Sequence, residues 1–236
     1  VSGLHIFPVT GVGPIGPGDD LANIFLAALA AQGDELLEND VVTVTSKIVA
    51  KAEGRVVDFD GTEQHKDQLI DQESRRTLRR RGSLRIVETH HGFVCANAGI
   101  DLSNTNDGTA VLLPTDPDRS ARRFRGDIER ATGRNIAVLI TDTFGRVWRE
   151  GVTDVAIGVA GLTPVLDLRG TPDANGRILE ATEVAIVDEI AGAADLVLGK
   201  STGLPFAVFR GLRPEFFGSG SVRENLLRRA SNDLFR

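Results

Sequence analysis

The chain is 236 residues long, 41% hydrophobic and 25% charged, with 26 glycines and 9 prolines. That is the composition of a folded protein with a proper core, and it excludes disordered, collagen-like and low-complexity classes. A net charge of −6 argues against a general nucleic-acid binder, which needs a basic surface to displace counterions from phosphates, so any phosphate site must be local.

The longest uninterrupted apolar stretch, residues 24–31, falls far short of the roughly 20 residues that span a bilayer. Residues 1–9 lack the basic, then apolar, arrangement of a secretory signal. One cysteine, Cys95, lies in an apolar run and has no partner for an intramolecular disulfide, so a reducing, cytoplasmic setting is expected.

In chain order, residues 4–9 read as a strand leading into a glycine- and proline-rich segment, 11–18. Asp19 and Asp20 then offer carboxylate caps for a helix to about residue 32, with Leu21, Ile24, Phe25 and Ala28 on one face. The β-branched run 41–45 predicts a strand, and the texture changes at Ser46. Residues 66–81 predict a very polar helix, 84–87 and 93–96 strands, and 118–132 another helix. The apolar run 136–140 predicts a strand buried on both faces that ends abruptly in Asp142. A strand over 152–160, a helix over 182–198 and a strand over 206–209 follow. Ser221 and Glu224 form a capping-box pattern opening a final helix to about residue 230. No repeat or linker-like tract divides the chain, so one domain over 1–236 is expected. The irregular alternation of strands and helices predicts an α+β fold and not a regularly wound α/β sheet.

Gly11, Gly13 and Gly16 satisfy a dinucleotide-type glycine pattern between a strand and a helix. The reading is rejected, because Pro14 and Pro17 remove N–H donors and Asp19-Asp20 would repel a pyrophosphate at the helix start. Lys47 and Lys51, with Ser46, lie just past a strand end and could neutralise a triphosphate as point charges, or form an exposed helix turn. Asp101 and Asp142 each stand where a strand is expected to end. Two such carboxylates, with substrate phosphates and water, suffice for Mg²⁺, although each alone also reads as a turn or cap. Thr143 could add an oxygen ligand, and Arg146 and Arg149 offer forked donors to phosphate or carboxylate.

The arginines 75, 76, 79, 80 and 81 read as a solvated face in preference to a phosphate groove. His90-His91 lack zinc-ligand spacing, and Asp188-Glu189 belongs either to a helix's polar face or to the site. No serine elbow or Cys/His nucleophile pattern is evident.

Taken together, 7–9, 18–21, 46–54, 97–104, 141–146 and 188–191 resemble the coenzyme F420-0:L-glutamate ligase family, in order and over nearly the whole chain. The likeness is greatest to the ligase module of actinobacterial bifunctional enzymes, in which a nitroreductase-like module follows. The resemblance implies mixed and antiparallel sheets in two interlocked subdomains, and an intertwined homodimer. It also implies GTP-dependent addition of L-glutamate to coenzyme F420-0, with further γ-linked glutamates, through an acyl phosphate.

Carried over residue by residue, Val12, Gly13, Pro14, Ile15, Ser46, Lys51 and Asn104 would contact GTP. Asp101 and Asp142 would bind one Mg²⁺ or Mn²⁺ and Thr143 a second, with K⁺ as a further cofactor. Lys51 would offset developing charge, and Arg146 or Arg149 would orient an anionic substrate. Where archaeal relatives carry an acid for the second metal, this chain has Lys200. The competing readings are a metal-dependent phosphohydrolase and a non-catalytic deazaflavin- or nucleotide-binding protein.

Overall fold

A computed structural model describes residues 3–102 and 108–234. The elements in chain order are β1 (His5–Val9), α1 (Leu21–Ala31), β2 (Val41–Thr45), α2 (Ser46–Ala52), β3 (Val56–Asp58), α3 (Glu63–Glu73), β4 (Ser74–Arg81), β5 (Leu84–Thr89) and β6 (Val94–Ala96). There follow β7 (Thr109–Val111), α4 (Pro117–Thr132), β8 (Ala137–Arg146), β9 (Arg149–Ala160), β10 (Leu166–Asp167), β11 (Glu183–Val184), α5 (Ile186–Leu198) and β12 (Phe206–Arg210). The fold is mixed α+β, as expected.

Its centre is a five-stranded sheet in the order β1-β12-β2-β8-β9. Only β2 and β8 pair in parallel; the other neighbours are antiparallel. β2 and the first half of β8 are apolar on both faces and almost wholly buried, because helices cover this part of the sheet. Phe25 of α1 meets Phe206 of β12 and Phe124 of α4 at ring separations of 5.1 and 6.1 Å, which locks two helices onto the sheet.

The helix ends are chemically specified. Asp20 caps α1 by accepting from the N–H groups of Ala22 and Asn23, both at 3.1 Å. Asp116 caps α4 through the Arg119 N–H, Pro117 begins that helix, and Gly133 closes it at φ 68°. The start of α4 is pressed onto β9, for a Cβ on Gly158 would lie 2.4 Å from the Pro117 carbonyl. Buried Asp118 seals this junction by accepting from the N–H groups of Val159, Val222 and Arg223 at 3.0, 2.9 and 3.2 Å.

Smaller sheets, β4-β5-β6, β3-β7 and β10-β11, flank the central one, and a second hydrophobic cluster of Ile70, Val87 and Ala98 lies under α3 and β5. Here the structure corrects the sequence reading. The polar helix expected over 66–81 is α3 followed at once by β4, whose arginines stand on an exposed strand. The final helix expected from Ser221 is one π-helical turn, Val222–Leu226. Ser221 does cap the Glu224 N–H at 3.1 Å, but the reciprocal bond to the Ser221 N–H comes from Asn225. Only Val222 of that turn is buried, so a longer helix would have no face to pack. Among the described residues no helix is long and apolar enough to cross a membrane.

Candidate active site

The site begins where the parallel pairing of β2 and β8 ends. Thr45 and Thr141 are register partners on β2 and β8, so the next residues, Ser46 and Asp142, emerge side by side. The carboxyl ends of adjacent parallel strands are where open α/β sheets hold ligands. Ser46 begins α2, and its buried hydroxyl donates to Asp142 Oδ1 at 3.0 Å.

Asp101 is delivered from the opposite side by a strained turn. Asn97, Ala98 and Gly99 take φ values of 49°, 58° and 69° in succession, a left-handed run that non-glycine residues adopt at a cost of about 1–2 kcal/mol each. Gly99 is needed here, since a Cβ on it would lie 2.8 Å from Leu113. Beyond the turn, the Asp101 backbone makes two 2.9 Å hydrogen bonds with Val111, which fix the carboxylate's base. Its carboxylate is ion-paired to Lys47, one residue into α2 from Ser46. A cavity of about 410 Å³ lined by Lys66, Asn97, Ile100, Asp101 and Leu102 opens beside it.

Burial, above all, pushes the Asp142 carboxyl up to about 7, and the negative charges of Asp154 and Asp101 push in the same direction. Hydrogen bonds from Ser46 and the Thr143 N–H oppose that rise only in part. Asp142 and Asp101 therefore stand in an environment that attracts positive charge, and Lys47 already answers it. Two carboxylates of this kind fit a divalent cation completed by phosphate and water oxygens. Among the described residues no group of three or more His, Cys, Asp or Glu side chains forms a ready-made metal cage.

Strand alternation turns Thr143 to the other face of β8. Its hydroxyl donates to Asp154 Oδ1 at 2.6 Å, and Lys200 Nζ donates to Thr143 Oγ at 2.7 Å. The Lys200 ammonium also pairs with Asp154 and, at 2.9 Å, with Asp195 of α5. Partial burial would lower its pKa, but the bonds to Asp154 and Asp195 outweigh that and hold it above its ordinary value. The oxygens around Thr143 are thus taken by an ammonium, and this side does not fit a second metal.

Other expected residues fall as follows. Val12 and Ile15 pack against the main core, and a 2.8 Å bond from the Gly18 N–H to the Ala52 carbonyl ties their segment to the end of α2. Gly13 and Pro14 lie between them. The Ala22 and Asn23 amides at the start of α1 are satisfied by Asp20 and are not free to donate to a pyrophosphate. Lys51 is in the last turn of α2. Arg146 and Arg149 face each other at the far end of the β8–β9 hairpin, roughly 13 Å along the strand from Asp142, and are not gathered with the two aspartates. Asn104 lies outside the described residues.

Asp188 accepts the Ala156 N–H at 2.9 Å and so anchors α5 to β9, while Glu189 points outward. His91 Nε2 donates to the Pro114 carbonyl at 2.9 Å, and its Nδ1 accepts from the Thr89 hydroxyl at 3.3 Å. Cys95 is buried, and desolvation holds its thiol up to about 12, which leaves it un-ionised and unreactive. Arg76 pairs with Glu88 and Arg80 with Asp67 at the surface. Sequence reasoning missed Asp154 and Asp195; the available signal was a lone acid inside the otherwise apolar strand 152–160.

The sequence profile of the family described as F420-0:Gamma-glutamyl ligase matches residues 11–211. The chain is 40% identical to the Coenzyme F420:L-glutamate ligase of Methanothermobacter thermautotrophicus, with 99% of each chain covered. It is also 40% identical to the protein of that name from Methanopyrus kandleri, over 99% of this chain and 98% of the relative. With the one from Methanocaldococcus jannaschii it shares 36% identity over 94% of each. The fold and the sequence likeness together define the class, an α+β ligase family. The chain belongs to the F420-0:gamma-glutamyl ligase family.

Proposed function

We propose that this chain is a ligase that adds L-glutamate to coenzyme F420-0, and further γ-linked glutamates to the product, with GTP as co-substrate. The observation that carries it is the convergence of Ser46, Asp142, Asp101 and Lys47 where the parallel pairing of β2 and β8 ends, in a chain whose relatives bear the glutamate-ligase name.

A carboxylate does not condense with an amine unaided. A carboxylate oxygen of the deazaflavin attacks the γ-phosphorus of GTP, GDP leaves, and an acyl phosphate forms. The glutamate nitrogen then attacks the acyl carbon, inorganic phosphate leaves, and the ammonium proton is released to solvent. Such transfers depend on positioning and charge neutralisation more than on a protein nucleophile, which suits a site whose cysteine stays protonated.

Asp101 and Asp142 would hold one Mg²⁺ or Mn²⁺, and a metal there supplies neutralisation of phosphate charge. Ser46 orients Asp142 through its hydroxyl. Lys47 and Lys51, on one short helix, would supply positive charge to the phosphates, and the segment containing Val12, Gly13, Pro14 and Ile15 would border the nucleotide. Arg146 and Arg149, remote from Asp142 in their own chain, would meet an anionic substrate across a homodimer. Exposed Val147, Trp148 and Val152 at the same hairpin end support burial there against a second copy.

The test is incubation of the purified protein with F420-0, GTP, L-glutamate and Mg²⁺ or Mn²⁺, with and without K⁺, following product mass and GDP. A ladder of glutamate adducts with matching GDP is expected. GDP release independent of glutamate would indicate a phosphohydrolase, and deazaflavin binding without turnover would indicate a binding protein.

A further inference from the structure

We infer that Lys200 is a built-in cation, a covalently tethered ammonium that fills the Thr143–Asp154–Asp195 site and keeps a second divalent metal out of it. Three oxygen groups converge on its nitrogen from three separate elements: Thr143 on β8, Asp154 on β9 and Asp195 on α5. An ammonium has three N–H donors, and here each has an oxygen partner.

The pocket demands positive charge. Asp154 is only 5% exposed, and a buried carboxylate is costly unless paired. It also lies close enough to Asp142 to raise that carboxyl's proton affinity, so an unneutralised Asp154 would disturb the neighbouring face too. The backbone fixes the donor's position: α5 ends at Gly199, φ 62°, and Lys200 is the next residue, turned back onto the hairpin. A free metal ion exchanges with solvent, whereas this charge is tethered to the chain. The site therefore holds one positive charge at every metal concentration, and the metal requirement of this chain is confined to the Asp101–Asp142 side. That confinement rests on the function proposed above; the occupancy of the Thr143 side by Lys200 does not.

The experiment is a Mn²⁺ titration of the intact protein without nucleotide, with free Mn²⁺ read by electron paramagnetic resonance. Folding is checked by circular dichroism. The wild type is expected to bind one Mn²⁺ per chain, and Lys200→Ala to bind two. Lys200→Ala combined with Asp154→Asn should return the count to one. Lys200→Gln, which keeps the side-chain length, serves if the alanine variant does not fold, and should also gain a site. Mn²⁺ should raise the unfolding temperature of either Lys200 variant by more than it raises that of the wild type. Two Mn²⁺ per wild-type chain would overturn the inference, as would a folded Lys200 variant with no additional site. Asp142→Asn separates the two readings: an unchanged count in that variant defeats the metal role of Asp142 and leaves the Lys200 comparison intact.

Discussion

The two faces of β8 handle the same problem, a carboxylate brought into a protein interior, in opposite ways. On one face Asp142 accepts a hydrogen bond from Ser46 and Asp101 is ion-paired to Lys47, and both members of the Lys47–Asp101 pair keep between a quarter and a third of their side chains exposed. On the other, Asp154 is buried and its charge is matched by Lys200, which is bound also to Thr143 and Asp195. Under the function proposed above, a partly solvated ion pair suits a reaction in which phosphate must come and go. A closed one suits a joint between a hairpin and a helix. Under the proposed function, adjacent residues on one strand, Asp142 and Thr143, thus divide chemistry from construction.

The largest effect expected is on the open face. Asp142→Asn should lower glutamate ligation by roughly a hundredfold or more, in line with losses on removing a group that positions charge in a reaction site, with an unchanged circular dichroism spectrum. Near wild-type turnover at saturating metal would erase the distinction between the faces.

The same substitution has a consequence for stability. Because the Asp142 carboxyl is held up to about 7 against an ordinary 3.8, the folded protein keeps a proton there that the unfolded chain has already lost at intermediate pH. This group's contribution to stability therefore falls as pH rises from about 4 to about 7. In metal-free protein, the urea midpoint of Asp142→Asn should decline less over that interval than that of the wild type.

On the closed face, Lys200→Ala should cost about 1–3 kcal/mol in denaturant unfolding. That lies below the full cost of breaking a buried pair, since Lys200 itself is 48% exposed. Smallest of all, Lys47→Met should change stability by less than about 1 kcal/mol, because its pair with Asp101 is partly solvated. If the two lysine substitutions prove equally costly, the contrast between an open and a closed cation position fails.

Much of this was legible in the sequence. The apolar run 136–140 announced a strand buried on both faces, though not its continuation past Asp142, and the β-branched run before Ser46 announced its neighbour. What could not be read was the hairpin beyond. Strand β8 continues to Arg146 and β9 starts at Arg149, yet these residues are exposed and so carry no burial alternation. β4 misled for a related reason: its arginines suit a helix as well as a strand, and with no buried face the sequence pattern has nothing to decide between them. Of the site, Asp101, Ser46 and Asp142 were identified singly. Their approach to one another depends on a parallel register and a left-handed turn, which are long-range and backbone facts. The pairing of Lys200 with Asp154 spans 46 positions and leaves no local mark.

Side chains of Val138, Leu139 and Ile140 are buried without regard to face. A strand apolar on both sides gains little from one pairing offset over another, since a slip by one position exchanges like for like. Thr141, Asp142 and Thr143 are the residues on β8 for which the two faces differ in kind. Moving them by one would leave Ser46 facing a threonine and bring Asp142 up against Asp154. The polar triplet therefore acts as the key that tells the correct alignment of β2, β8 and β9 from its neighbours, so that a chain able to fold in register has its cation positions set by the same act.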